Sequence, residues 1–304
     1  MLPESHAYAH ESAHSWLFPV LWLGVLFVSF GTVRALVTLS SENDRYTHIL
    51  VIAPISVFLI YLDRKRVFRQ SRISPGLGIP ALAAATIIYM LAAAWAWKSA
   101  QDDRLWLAGL AIVALWIAAF VLLYGLRSTR AAIFSLCFLL LMVPIPGHIL
   151  DRVVYGLQAG SAQVTYMLFK VLRIPVLRDG FRFSLPGIDI EIATECSGIR
   201  SSLALLITGL LAAHLFLRSA WSKLAFALLI VPVAIFKNAV RIVILSSLGL
   251  YVNRDYLTGP LHHRGGPLFA LVGFAILVPA LIVLRKIEGR FSSLPVPAGD
   301  AVQA

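Results

Sequence analysis

From residue 16 to residue 284 the chain repeats one pattern: long apolar runs separated by short loops that carry most of its charge. A helix needs about 20 mostly apolar residues to cross a bilayer. On that rule the runs lie near 16–39, 49–62, 77–97, 105–126, 131–146, 194–217, 224–250 and 267–284, the second and fifth being short. Charged residues make up 13% of the chain and hydrophobic residues 59%, with a mean hydropathy of +0.84. Soluble domains are about 25% charged, so a soluble fold is excluded. The expected fold is an all-α polytopic membrane protein of about eight transmembrane helices in one bundle. Residues 1–15 and 288–304 form cytoplasmic tails around a membrane domain at 16–287. The first fifteen residues hold Glu4 and Glu11 but no Lys or Arg, so the basic start of a signal peptide is missing.

The stretch 149–172 is apolar but broken by Asp151, Arg152, Gln158, Gly160, Gln163 and Lys170. It reads as a helix at the interface, or packed on the bundle, rather than a span. Orientation follows from lysines and arginines in short loops. Arg64–Arg72, Arg127/Arg130, Arg218/Lys223 and Arg285/Lys286/Arg290 fall on one side if eight spans separate two cytoplasmic termini. The opposite short loops hold Glu42, Asp44, Asp102 and Asp103. This places residues 147–193, Cys196 and the 251–266 loop on the outer, periplasmic face of a cell inner membrane. The net charge of +11 is then mostly positive-inside topology. No soluble basic patch with stacking aromatics suggests nucleic acid, and Trp16, Trp22, Trp95, Trp97, Trp106 and Trp221 sit mostly near run ends, as an interfacial belt does.

Between 173 and 193 the period changes to two. Phe181, Phe183 and Leu185 alternate with Arg182 and Ser184, and Ile188, Ile190 and Ile192 alternate with Asp189 and Glu191. Asp179-Gly180 and Pro186-Gly187 are turn signals. The segment predicts a small outer β-ribbon that either lids the bundle or offers an edge to an extended peptide.

Three polar islands interrupt the apolar runs that follow. Glu195-Cys196-Ser197-Gly198-Ile199-Arg200 opens the first, Lys237-Asn238-Ala239-Val240-Arg241 lies inside the second, and His262-His263-Arg264-Gly265-Gly266 precedes the last. A cysteine at a helix N-terminus meets unpaired N–H groups and the helix dipole, which stabilise a nucleophilic thiolate. A packing cysteine beside a helix cap explains the local sequence equally well. Arg241 favours the nucleophile, because an arginine in a membrane helix costs at least ~2.5 kcal/mol and faces the bundle interior or water. There it can stabilise a thiolate or oxyanion, or pair with Glu195. Asn238 shares its face at a spacing of three. His262 and His263 offer an acid or base near neutral pH. Cys137, amid Leu136, Phe138, Leu139 and Leu140, reads as a small hydrophobe. The tail histidines His6, His10 and His14 are too irregular for a metal site, and no metal or cofactor is expected.

Across about residues 16 to 284 the chain resembles the exosortase/archaeosortase family of membrane-embedded, sortase-like cysteine enzymes. Glu195-Cys196-Ser197-Gly198-Ile199-Arg200-Ser201 resembles the family's nucleophile motif and Asn238-Ala239-Val240-Arg241 its arginine motif. His262, four residues before Gly266 with Phe269 beyond, resembles its histidine motif. Tyr46-Thr47-His48 resembles an early Tyr-Ser-His motif with Thr for Ser, and Pro144-Ile145-Pro146 a Pro-Leu-Pro element. The resemblance implies a peptidase or transpeptidase acting on exported proteins with a C-terminal sorting signal: a short motif (Pro-Glu-Pro in the bacterial PEP-CTERM class), a membrane helix and a basic tail. Cys196 would form the acyl-enzyme, His262 would move protons, with His263 as alternate, and Arg241 would stabilise charge. An acceptor molecule, of unknown identity and linked in expectation to exopolysaccharide, would take the product. A transporter, or a scaffold for polysaccharide export, is the rival class. A transporter predicts ionisable residues near the midplane and an internal repeat, whereas these polar islands sit toward helix ends and no repeat is evident.

Overall fold

The computed structural model describes residues 17–69, 71–95, 101–193, 198–261 and 265–292. It divides into two compact units, Met1–Leu150 and Asp151–Ala304. The first carries helices α1 (Leu17–Val28), α2 (Phe30–Glu42), α3 (Ile49–Leu62), α4 (Pro75–Trp95), α5 (Gln101–Ala131) and α6 (Ile133–Phe138), and the start of α7 (Gly147–Val171). The second carries the rest of α7, strands β1 (Leu177–Asp179), β2 (Arg182–Leu185) and β3 (Ile188–Glu191), and helices α8 (Ile199–Phe216), α9 (Ala220–Tyr251) and α10 (Gly266–Ser292).

The expected helical membrane fold with a small ribbon is what forms. Among the described residues five helices are long and apolar enough to cross a membrane, or six if Ile133–Met142 and Gly147–Val171 make one broken span. The expected count of eight is not confirmed, because three of its runs are short or interrupted. The run 16–39 is two helices divided at Ser29, whose hydroxyl donates back to the Val25 carbonyl at 2.6 Å. The 49–62 run is a 14-residue helix, about 21 Å long at 1.5 Å per residue, short of a ~30 Å hydrocarbon core. The run 131–146 is the six-residue α6 followed by a 3-10 turn at Leu139–Met142.

In the first unit Ile60, Val67, Phe120, Tyr124 and Leu136 lie in one buried cluster. Gly125 breaks the helical path of α5, with φ 76°. A break there frees carbonyls of the preceding turn. Those of Leu122 and Tyr124 accept the N–H groups of Ser74 at 2.9 Å and Arg72 at 3.3 Å. The Arg64–Arg72 loop is thereby held at the same end of the unit as Arg127 and Arg130. Cys137 is exposed rather than buried, on an outward stripe with Ile133 and Leu140. Such a stripe suits lipid, so the small-hydrophobe reading of Cys137 stands on an outer face instead of a core.

In the second unit α8, α9 and α10 pack through Leu205, Ala213, Phe226, Ile230, Val233 and Leu277. The Glu288 carboxylate accepts the N–H groups of Arg218 at 3.0 Å and Ser219 at 2.7 Å. The basic ends of α8, α9 and α10 thus share one end of the unit. At the other end of α9 the Arg254 guanidinium donates to the Gly187 carbonyl at 2.8 Å, joining the loop after α9 to the ribbon.

The ribbon is the antiparallel sheet β1-β2-β3, with Leu177 opposite Ser184 and Arg182 opposite Glu191. Its turns use Gly180 at φ 59° and Gly187 at φ 85°, a backbone region glycine enters without steric cost. The predicted alternation is realised: Phe183 and Leu185 are buried, while Arg182 and Ser184 are exposed. Phe183 packs on Phe169 of α7 with ring centroids 6.2 Å apart. Helix α7, expected at the interface or on the bundle, packs against the ribbon, and two of its polar residues bond to the ribbon segment. Gln158 Nε2 donates to the Ile192 carbonyl at 2.5 Å, and Gln163 Oε1 accepts from Arg178 at 2.7 Å.

Candidate active site

Helix α9 turns three polar side chains toward its neighbours within one helical turn: Lys237, Asn238 and Arg241. Positions four apart lie on one helix face, so Lys237 and Arg241 stand one above the other with Asn238 beside them. Lys237 and Asn238 are each only 1% exposed, and Arg241 is half-buried. An ammonium in such a place needs a hydrogen-bond partner, since a bare buried charge costs several kcal/mol. Lys237 Nζ donates to Ser201 Oγ, in the first turn of α8. Ser201 in turn donates to the Gly198 carbonyl at 3.0 Å.

Asn238 works on the same turn from the other side. Its Nδ2 donates to Ser161 Oγ of α7 at 3.1 Å. Gly198, the residue before α8, has φ 73°, in the left-handed region. A β-carbon at this position would lie 2.7 Å from Asn238 Oδ1, so only glycine fits on both counts. Helix α7, helix α9 and the start of α8 are therefore locked by Ser161–Asn238 against Gly198 and by Lys237–Ser201. This brace stands immediately after the segment that bears Cys196.

Arg241 and Asn238 line a cavity of about 310 Å³. One wall is β3 and its continuation, Asp189 to Ile192; the other is α9, including Leu245 and Ser246; Leu257 and Thr258 close an end. Leu257 packs over Gly249 of α9, where an added β-carbon would meet its side chain at 2.7 Å. The loop leading to the histidines is thus folded against α9.

Of the site residues expected from sequence, Arg241 and Asn238 come together in this cavity. Glu195, Cys196, His262 and His263 lie outside the described residues. Their neighbours in sequence flank the same end of the unit: Gly198 abuts Asn238, and Thr258, four positions before His262, lines the cavity. Tyr46-Thr47-His48 belongs to the first unit. Tyr46 is buried, and its carbonyl accepts from Ser40 Oγ at 2.9 Å. Burial pushes the His48 imidazole below its usual range, opposed by hydrogen bonds with the backbone of Arg45 and Leu141.

In the sequence Lys237 stands out only as part of a polar island. The available signal was its cost: a lysine amid Ile235, Phe236, Ala239 and Val240 is as expensive as Arg241. Ser161 and Ser201 carried no such signal, since serine is cheap in a membrane helix.

The fold and this site define a polytopic membrane protein with a mostly apolar, arginine-bearing cavity between one of its apolar helices and a small sheet. The transmembrane exosortase family model (Exosortase_EpsH) matches residues 40–279, most of the chain, and the protein belongs to that family. Searches of curated proteins and of solved structures gave no match.

Proposed function

We propose that the protein is a membrane-embedded cysteine transpeptidase that removes the C-terminal sorting signal of exported proteins and passes the product to an acceptor. The observation that carries this reading is the cavity. It joins a half-buried guanidinium to the edge of a sheet, next to the braced turn that follows Cys196. Cys196 attacks the scissile carbonyl as thiolate. Arg241 stabilises the oxyanion as the carbonyl becomes tetrahedral. His262 gives its proton to the leaving amine as the C–N bond breaks, leaving a thioester on Cys196. An acceptor nucleophile, deprotonated by His262, then attacks the thioester and frees the thiolate. The Lys237–Ser201 and Asn238–Ser161 pairs position the turn and touch no reacting atom.

The reaction takes place at the outer face of the inner membrane, with both termini in the cytoplasm. The gathering of Arg218, Ser219 and Glu288 at one end of the second unit, and of the ribbon at the other end of α9, supports that polarity. The test is co-expression of a tagged exported protein ending in Pro-Glu-Pro, a membrane helix and a basic tail. The unaltered chain should shorten it and Cys196→Ala should not. Processing that survives Cys196→Ala would refute the thiol mechanism and favour a scaffold.

A further inference from the structure

Four consecutive residues, Asp189 to Ile192, line the cavity. Side chains alternate across a strand, so a surface that meets every residue in turn meets the backbone edge. β3 is an outer strand of the three-stranded sheet, and this edge has no strand partner among the described residues. The register fixes which groups it presents. Ile192 N–H donates to the Phe181 carbonyl at 3.0 Å. Hydrogen-bonded and non-bonded pairs alternate in an antiparallel ladder, so Ile188, Ile190 and Ile192 turn their backbone groups toward β2. Asp189 and Glu191 turn theirs toward the cavity. The Glu191 carbonyl accepts Ala193 N–H at 3.1 Å, which leaves the Asp189 N–H and C=O and the Glu191 N–H for a new strand.

The edge is also held at both ends. Arg254 grips Gly187 at 2.8 Å and Gln158 grips Ile192 at 2.5 Å. A fixed edge loses little entropy when a partner is added. Across the cavity stands Arg241.

We propose that β3 is a docking rail on which the substrate binds as a fourth strand, an extended peptide lying between β3 and α9. This rests on the peptide-processing reading and adds its binding mode. In an added strand alternate residues bond to β3, and the carbonyls between them point away from it. A carbonyl so directed faces α9, where the Arg241 guanidinium complements its oxygen, and more strongly as that oxygen gains charge. The rail would thus select the bond to be cleaved by backbone geometry, with side-chain preference secondary. It recognises an extended segment, not a helix, beside the membrane helix of the signal.

The first test is disulfide trapping in membranes, with the same tagged substrate scanned by single cysteines through the segment before its membrane helix. The enzyme carries Asp189→Cys in a Cys137→Ser, Cys196→Ala background. Strand addition predicts crosslinks at every second substrate position. Crosslinks at a spacing of three or four, or none at all to a substrate that the unaltered chain processes, would overturn the rail. The second test compares Asp189→Pro with Asp189→Ala. Proline removes the outward N–H without touching the ladder to β2. Asp189→Pro should raise KM about two- to tenfold above that of Asp189→Ala, the effect of one hydrogen bond, with an unchanged melting temperature. Equal KM for the two would count against the rail. Survival of processing in Cys196→Ala would defeat the thiol mechanism while leaving the crosslinking pattern to decide the rail on its own.

Discussion

Replacing Lys237 by methionine separates function from folding at the brace. Lys237 is the eighteenth of the 32 residues of α9, mid-helix rather than toward the helix end expected of the polar islands, and lysine there costs about 2.5–3.5 kcal/mol. A hydrogen bond to a charged group returns about 1.5–3 kcal/mol, and Ser201 is its one hydrogen-bond partner among the described residues. The lysine therefore contributes close to nothing, or is net unfavourable, to the stability of the fold. Methionine has similar reach, fills irregular space and removes the desolvation cost. Ser201 keeps its bond to the Gly198 carbonyl at 3.0 Å. Lys237→Met should leave the melting temperature in detergent unchanged or raised. Processing of the tagged substrate, normalised to enzyme in the membrane, should fall about ten- to hundredfold, because Lys237 acts by positioning the turn and a misplacement of about 1 Å at the reacting groups costs on that order. Ser201→Ala should lower processing too, and the double variant should be no worse than Lys237→Met alone, because the two act through one contact. A loss of more than about 3 kcal/mol in stability would mean that Lys237 is half of a buried ion pair, and the reasoning would fail. So would near-normal processing by a stable Lys237→Met.

Gly198→Ala should lower folded yield and abolish processing, since it adds ~1–2 kcal/mol of left-handed backbone cost to a contact 2.7 Å from Asn238 Oδ1; normal yield and processing would contradict the close approach. A membrane-impermeant thiol reagent applied from outside should label Cys196 and stop processing, while Cys137→Ser should process normally. His262→Ala should impair cleavage far more than His263→Ala, and the reverse order would move the general acid to His263. Arg241→Lys should lower processing by ~10²–10³, as loss of an oxyanion donor does, because an ammonium on a flexible stem does not reproduce the planar guanidinium; near-normal cleavage would make Arg241 structural.

What could be read from the chain alone depended on whether the signal was local. The ribbon was legible, since period-two alternation and the pairs Asp179-Gly180 and Pro186-Gly187 each state a backbone geometry within a few residues. The helical membrane class was legible because hydropathy over twenty residues is itself the physical cause of insertion. The number of spans was not. A hydropathy run does not register that its helix stops after 14 residues at Leu62, or that a six-residue helix gives way to a 3-10 turn at Leu139, and neither alters apolarity. The cavity was illegible for another reason. Its two walls are about 50 residues apart in sequence, and nothing in Asp189–Ile192 names Arg241 as its neighbour.

Lys237 marks the boundary between these cases. Its cost was visible in the sequence, but the serine that meets it was not, because Ser201 carries no penalty in a membrane helix. The same asymmetry separates Asn238 from Ser161. In each pair the expensive residue sits on α9 and the cheap partner on a neighbouring helix. An expensive polar residue in an apolar run thus announces a site without describing it. Three of them within one turn, at positions 237, 238 and 241, announce more than packing needs. Packing would be served at least as well by apolar residues there, so the polar face of α9 is the surface on which the proposed transpeptidase reading rests, with the small residues around it completing its geometry.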